Sequence, residues 1–340
     1  MRRKLFFTQQ EEKLMKGHKK INVAKFVSNW AAVLAIVILV LFFMIKMPGI
    51  FATKSNIETI FRSISITTVM AMGLTMTLAV GGFDLSAGQT ATMASFVFMS
   101  FIIWYGSSIG VAILASLAVT AALVLMSMLL IIVCKIPDLL ATCAMMFFLD
   151  GLSLTYSGGG AISAGMPQPN GDPSVGTVTQ IVKTIGTSPT IIYIMLISVA
   201  IVHILLTYTK YGRYIYATGG NKTAAQLSGI PVKKYRLIAG LIAGAFICLA
   251  GILVASRNQS AQINGATSFS MPALSAVFIG RSVAGQGKPN ALGSLLGATL
   301  VGILDNGLVM MGVPYYSLNA IKGIVLALAL ASAYYSTKEE

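Results

Sequence analysis

The chain has 340 residues, of which 56% are hydrophobic and only 10% are charged, and its formal net charge is +14. Soluble globular domains contain about 25% charged residues, so this composition excludes a water-soluble protein and favours a membrane protein. The basic residues lie in short segments between apolar runs. That distribution argues against nucleic-acid binding and is typical of loops that face an anionic bilayer surface.

Ten apolar runs are long enough for membrane helices, which need about 20 residues each. We therefore predict an all-α polytopic membrane protein with about ten transmembrane helices. Glycine and proline near 81–90 and 268–290 predict that some of these helices are broken or re-entrant. The transmembrane domain covers 27–335, and its predicted spans lie near 27–45, 61–80, 88–105, 109–133, 139–155, 190–208, 237–256, 270–285, 290–311 and 318–335.

The N-terminal tail, residues 1–26, contains eight basic and two acidic residues. By the positive-inside rule we expect it to be cytoplasmic. The apolar run that follows is too long for a signal peptide and has no small-x-small cleavage site, so we expect the first span to be retained. Ten spans then place the C-terminal tail, 336–340, in the cytoplasm as well.

A glycine-rich break with one carboxylate separates the second and third spans. It reads Gly81-Gly82-Phe83-Asp84-Leu85-Ser86-Ala87-Gly88. Backbone that leaves a helix inside a membrane must face protein or a water-filled cavity, and an intramembrane Asp indicates a functional site. Two compatible roles stay open for Asp84: a polar group that lines or gates a pathway, and a cap on the next helix. Gly81, Gly82, Asp84 and Ser86 are therefore candidates for a pathway or helix break.

Two loops differ in charge. Residues 156–189 are rich in Gly, Pro, Ser and Thr and contain only Asp172 and Lys183 as charged residues, so we expect this loop outside the cell. Residues 209–236 contain six basic residues and no acidic one, and ten spans place this loop in the cytoplasm. A short helix is predicted from 223 to 227, ended by Gly229 and Pro231. The loop is either a topology signal alone or a docking site for a partner.

Residue types for catalysis or metal binding are scarce. The cysteines, Cys134, Cys143 and Cys248, lie in or beside apolar runs without CxxC spacing, and His18 and His203 are far apart. We expect buried reduced thiols, no metal site and no cofactor in this chain. The sequence contains no phosphate-binding GK[ST] loop and no Ser/His/Asp triad pattern. The chain is therefore predicted not to be an enzyme, and any ATP is hydrolysed by another chain.

Further polar groups interrupt later spans. Asp305 and Asn306 form a polar step inside a span and are candidates for the pathway or for hydrogen bonding between helices. Asp150 is expected in the outer half of its span, where water solvates it. Two small-x-x-x-small pairs, Gly240/Gly244 and Gly293/Gly297, allow close helix approach, either within one subunit or in a dimer.

Four segments, in order, resemble the membrane permeases of ribose-type ABC importers. The break at 81–88 is similar to the family's GGIDLSVG. Residues 212–221, GRYIYATGGN, followed by AAxLSGI at 224–230, resemble the family's coupling segment, which reads GRxxYAxGGN and then EAAxLSGI. Residues 280–287 with Gly293 and 297–298, and residues 306–308 with 312–313, match as well. The resemblance covers about 60–335.

The resemblance implies a type II ABC importer fold and assigns ATPase coupling to one set of residues. Thr223 stands where the family usually has Glu, which leaves ATPase docking expected but its strength open. The implied coupling residues are Gly212, Arg213, Gly219, Gly220, Asn221, Thr223, Ala224, Ala225, Leu227, Ser228, Gly229 and Ile230.

The resemblance further implies a function and partners. The chain would be the permease subunit of a bacterial ABC importer in the cytoplasmic membrane, moving a small sugar or polyol by alternating access. Its partners would be two ATPase subunits that bind ATP and Mg²⁺, an extracytoplasmic sugar-binding protein, and a second permease copy, identical or paralogous. The alternatives are a permease for nucleosides or branched-chain amino acids, and a self-sufficient secondary transporter.

Overall fold

The computed structural model describes residues 23–282 and 287–314, together with 316–318, 320–321 and 323–324. Within these residues the chain is almost entirely helical. Two short strands, β1 (Ile162–Ser163) and β2 (Ser260–Ala261), pair antiparallel. The helices are α1 (Val23–Lys46), α2 (Lys54–Ala79), α3 (Ala87–Ile103), α4 (Ile109–Met128, continued by a π-helical turn, Leu129–Val133), α5 (Asp138–Ser157), α6 (Gln180–Ile185), α7 (Thr190–Tyr208), α8 (Lys210–Gly220), α9 (Lys222–Leu227), α10 (Val232–Asn258), α11 (Ser270–Ser282) and α12 (Ala291–Met310).

The predicted all-α polytopic membrane fold is confirmed. Among the described residues, six helices are long and apolar enough to cross a membrane: α2, α4 with its π turn, α5, α7, α10 and α12. Helices α1, α3 and α11 also coincide with predicted spans, so nine of the ten predicted spans contain a helix in the described part of the chain. The tenth predicted span, 318–335, lies largely outside the described residues. The tail 336–340 and most of the tail 1–26 lie wholly outside them.

Helices α2 and α10 form the centre of the bundle. Helix α2 packs against α7, α10, α11 and α12, while α10 packs against α2, α3 and α4. In the most apolar 18-residue stretch, 72% of α2 and 67% of α10 is buried inside the protein, against 28% for α4 and α5. The outer helices therefore leave apolar surface for lipid or for another chain.

Small residues set the spacing between the central helices. A Cβ atom on Gly251 of α10 would lie 2.1 Å from the carbonyl oxygen of Ala91 in α3. The pair Gly240/Gly244 faces side chains of α4, and Gly293/Gly297 faces the backbone of α11. Both small-x-x-x-small pairs thus pack within the subunit.

The structure differs from the prediction at two boundaries. The basic loop 209–236 contains two short helices, α8 and α9, rather than one, and α10 begins at Val232, five residues before its predicted span. Amphipathicity explains the difference. Helix α8 buries Gly212, Ile215 and Thr218 at three-residue spacing while its other residues are exposed or partly buried, so it is amphipathic and has no continuous apolar run.

Candidate functional site

The conformation of the break between α2 and α3 is fixed by hydrogen bonds to side-chain oxygens. Gly81 has φ +76°, which glycine adopts without strain, and it turns the chain out of α2. The Asp84 Oδ1 atom accepts the backbone N–H of Ser86 at 2.8 Å and its hydroxyl at 2.7 Å. The Leu85 N–H donates to Thr142 Oγ1 of α5 at 3.2 Å. The break is thus a defined turn that precedes α3 and is hydrogen-bonded to α5.

An ion pair that sequence reasoning missed lies directly against this break. Arg236 in the first turns of α10 donates to Asp138, the first residue of α5, and the side chains are only 12% and 18% exposed. A Cβ atom on Gly82 would lie 3.0 Å from Asp138 Oδ2, so the absent side chain makes room for the pair. In sequence the two residues are 98 positions apart, and each looks like an ordinary loop charge.

A small cavity separates the ion pair from Asp84. Its volume is about 30 Å³, and its walls come from the break, α4, α5 and α10. That is enough for a water molecule, which needs two to four polar partners, but too small for a sugar. The Arg236 Nε atom, which is buried and has no hydrogen-bond partner among the described residues, offers one such partner. Side chains therefore close this end of the bundle.

Helix α8 joins the predicted coupling residues to the predicted break. A Cβ atom on Gly219 would lie 2.2 Å from the Ala79 carbonyl oxygen and 2.9 Å from the Gly81 nitrogen. Gly212, near the start of α8, packs equally tightly on the backbone of Leu206 in α7. The structure thus brings together two sets of residues that the sequence only suggested separately.

Helix α9 projects from the bundle beside α8. Asn221 is extended and caps it, since its Oδ1 accepts the Ala224 N–H at 2.9 Å. Gly229, with φ +79°, ends it, and the Ile230 N–H bonds back to the Ala225 carbonyl oxygen. Ala225 is the buried residue of this helix. The predicted coupling residues that are exposed in and beside it are Arg213, Gly220, Asn221, Thr223, Ala224, Leu227, Ser228 and Gly229.

Tyr216 ties α8 to the chain that precedes α12. Its hydroxyl donates to the Pro289 carbonyl oxygen at 2.7 Å. Burial raises the pKa of the Tyr216 phenol to about 12, so the phenol stays protonated and remains a donor at physiological pH. The position of α8 is therefore coupled to α12 as well as to the break.

The other pathway candidates lie far from Asp84. Asn306 Nδ2 donates to Asn56 Oδ1 at 3.0 Å, joining α12 to the first turn of α2. Asn56 and Ala79 are 23 residues apart, or about 35 Å along the helix. Asp305 is half-buried next to Asn306. The polar step at 305–306 thus belongs to the opposite end of the bundle.

Comparison with known proteins identifies the family of the chain. Residues 56–330 match the model of a family described as branched-chain amino acid transport system / permease component. The chain is 32% identical over 299 residues to the ribose import permease protein of Escherichia coli (strain K12), covering 88% of this chain and 91% of that protein. It is 31% identical over 319 residues to the ribose import permease protein of Bacillus subtilis (strain 168), covering 94% and 97%.

A more distant relative is the xylose/arabinose import permease protein of Sulfolobus acidocaldarius, 29% identical over 320 residues, with 89% of this chain and 83% of that protein covered. No solved structure matches. The matched region contains the break, the ion pair and both short helices, and it includes the six helices able to span a membrane. The chain therefore belongs to this family of multi-pass membrane permease components of ABC transport systems.

Proposed function

We propose that this chain is the membrane permease subunit of a bacterial ABC importer, and that it forms the translocation pathway for a small sugar. The observation that supports this most directly is the contact between Gly219 of α8 and the break at Gly81. A displacement of the α8–α9 pair would be transmitted through this contact to the closed end of the bundle. Such a link is what a separate ATPase needs in order to open and close a pathway.

The α8–α9 pair has the surface of a docking site. Leu227 at the end of α9 is 86% exposed, an unusual position for a large apolar side chain on a polar surface. The segment 209–236, which includes Leu227, contains six basic residues and no acidic residue. We infer that α9 inserts into an ATPase subunit, which binds ATP and Mg²⁺ and performs the hydrolysis. Docking then proceeds without the usual Glu at the position of Thr223.

The cargo is inferred from the relatives and from the motifs. The named relatives import ribose and xylose or arabinose, and the break and coupling segment resemble those of ribose-type permeases. The family description names branched-chain amino acids, so these remain the alternative cargo. The same inference includes a second permease copy, an extracytoplasmic sugar-binding protein, and cytoplasmic N- and C-termini.

Affinity purification of the tagged chain from its native membrane tests the proposal. We expect an ATPase subunit and a sugar-binding protein to copurify. The Leu227→Ser variant should lose the ATPase while remaining folded, because Leu227 makes little contact within the subunit. The matched control is Val175→Ser, which changes a similarly exposed apolar residue in the 156–189 loop. A homo-oligomer without ATPase in mild detergent, in wild type as well, would contradict the proposal.

A further inference from the structure

A second cavity lies beside the start of α3. Its volume is about 270 Å³, and it is an open groove rather than an enclosed pocket. Three parts of the chain form it: the first turn of α3, the middle of α5, and the segment between β2 and α11. Its lining residues are Gln89, Met146, Phe147, Asp150, Asn264 and Thr267.

The groove lies at the surface of the bundle and at a distance from the ion pair. Asp150 is twelve residues beyond Asp138 on α5, which is about 18 Å along the helix. Gly251, which contacts Ala91 in the first turns of α3, is fifteen residues beyond Arg236 on α10, or about 22 Å. With the ion pair at the cytoplasmic boundary, as the proposed function implies, both distances place the groove beyond the midpoint of a hydrocarbon core about 30 Å thick. Broken helices that start at this depth form substrate sites in other transporters.

The polar groups of the groove are available to a ligand. Within the described part of the chain, no hydrogen bond is made by the Asp150 carboxylate or by the side-chain amides of Gln89 and Asn264. The Thr267 hydroxyl donates to the Asn264 carbonyl oxygen at 2.7 Å, which leaves its lone pairs free to accept. A carboxylate at this depth without a partner is costly unless water or a ligand satisfies it.

This set of side chains fits a neutral polyhydroxyl compound. A carboxylate and two amides accept and donate hydrogen bonds to hydroxyl groups, and the Phe147 ring, 69% exposed, offers an apolar face to the C–H side of a sugar ring. The lining contains no basic side chain. The ammonium group of an amino acid would pair with Asp150, but its carboxylate would find no basic partner in this lining, which disfavours that cargo relative to a neutral sugar.

We propose that this groove is the site where a monosaccharide or cyclic polyol pauses in the permease, with Asp150 as its main hydrogen-bond acceptor. The inference rests on the proposed function and names the site within it. Because the groove is open on one side, binding is weak, as a pathway requires. The closed ion pair then forms the barrier between this site and the cytoplasmic end.

Protection of a single cysteine tests the site directly. In the full transporter with Cys134, Cys143 and Cys248 changed to serine, Phe147→Cys places a thiol in the groove, and Phe148→Cys places one beside it on the exposed surface of α5. The probes are D-ribose, D-xylose, D-galactose and myo-inositol, with L-leucine for comparison. The sugar that wild type imports should slow alkylation of the Phe147→Cys variant several-fold and leave the Phe148→Cys variant unchanged. The site would be overturned if the sugar slowed alkylation equally in both variants or in neither, or if L-leucine protected the Phe147→Cys variant as well as the sugar does.

Transport by Asp150→Asn gives a second measurement. Loss of a charged acceptor should lower sugar uptake about tenfold, while the ATPase subunit stays bound and the sugar-loaded binding protein still stimulates ATP hydrolysis. Asp150→Glu should retain more uptake than Asp150→Asn. Normal uptake in Asp150→Asn would overturn the site but leave the proposed function intact. Absence of sugar uptake in wild type would instead contradict the proposed function.

Discussion

Two polar interruptions in this membrane protein look alike in sequence and differ in structure. Each combines an acidic residue with small polar residues inside an apolar run: Asp84 with Ser86 near one end of α2, and Asp305 with Asn306 near the other. Around Asp84 the helix is broken and a water-sized cavity forms. Around Asn306 the helix α12 continues, and the amide bonds to Asn56 on a neighbouring helix.

The difference lies in what surrounds each group. The break near Asp84 is enclosed by α4, α5 and α10 and touches α8, so it connects the bundle to the proposed ATPase surface. The Asn306 amide joins α12 to α2. We therefore expect the group at the break to take part in movement and the group at Asn306 to stabilise packing between two helices.

The largest expected effect comes from breaking the ion pair. Arg236→Ala leaves the Asp138 carboxylate buried against Gly82 without a partner, which should cost about 3–5 kcal/mol of stability. Thermal unfolding of the detergent-solubilised permease measures this loss. Lys233→Ala, on the exposed side of the same helix, should have no effect. The exchange Asp138→Arg with Arg236→Asp should recover part of the stability, and an unchanged melting temperature in Arg236→Ala would contradict the role of the pair.

The next effect tests whether α8 acts on the break. Gly219→Ala places a methyl group 2.2 Å from the Ala79 carbonyl oxygen, so the backbone must shift at a cost of about 1–3 kcal/mol. We expect the ATPase subunit to remain bound and active while sugar uptake falls. Gly220→Ala is the matched control, since a methyl group there meets nothing within 4 Å. Parallel losses of ATP hydrolysis and uptake in Gly219→Ala would show that the contact does not transmit movement.

The sequence predicted the helices well and the site only partly. Long apolar runs determine where spans lie, so predicted and observed bounds agree closely for α4, α5 and α7. Helix α8 was missed because its polar, glycine-containing sequence has no apolar run, and its helical state depends on burying Ile215 and Thr218 against the bundle. Tertiary packing, which local pattern does not show, decides such segments.

The site residues were likewise predicted only in part. Asp84 was visible because a carboxylate between glycines is unusual in an apolar run. Asp138 and Arg236 were not, since Pro137-Asp138 begins a span and Arg236 is one of six basic residues in its loop. Their pairing depends on where α5 and α10 meet, and Gln89 and Asn264 reach the groove for the same reason.

A smaller effect is expected from the turn that starts α3. Asp84→Ala removes the acceptor of both Ser86 hydrogen bonds in the turn before α3, and each such bond is worth about 0.5–1.5 kcal/mol. Uptake or expression should fall far more than in Asp172→Ala, a change in the 156–189 loop. Asp84→Asn keeps an acceptor oxygen and should restore most of the stability. Wild-type uptake with normal expression of Asp84→Ala would refute the role of the carboxylate.

The smallest effect is expected at the polar step 305–306, and it distinguishes the two polar interruptions most sharply. Asn306→Ala and Asn56→Ala each delete the neutral hydrogen bond between the two amides, which is worth about 0.5–1.5 kcal/mol. Asn56→Ala also removes the bond from Asn56 Nδ2 to the Phe51 carbonyl oxygen, so it should cost more than Asn306→Ala. The double variant should lose less than the sum of the single losses, because both changes delete the same bond. Per folded molecule, sugar uptake should stay at the wild-type rate in all three variants. If uptake falls at unchanged stability, Asn306 belongs to the pathway, and the contrast with Asp84 disappears.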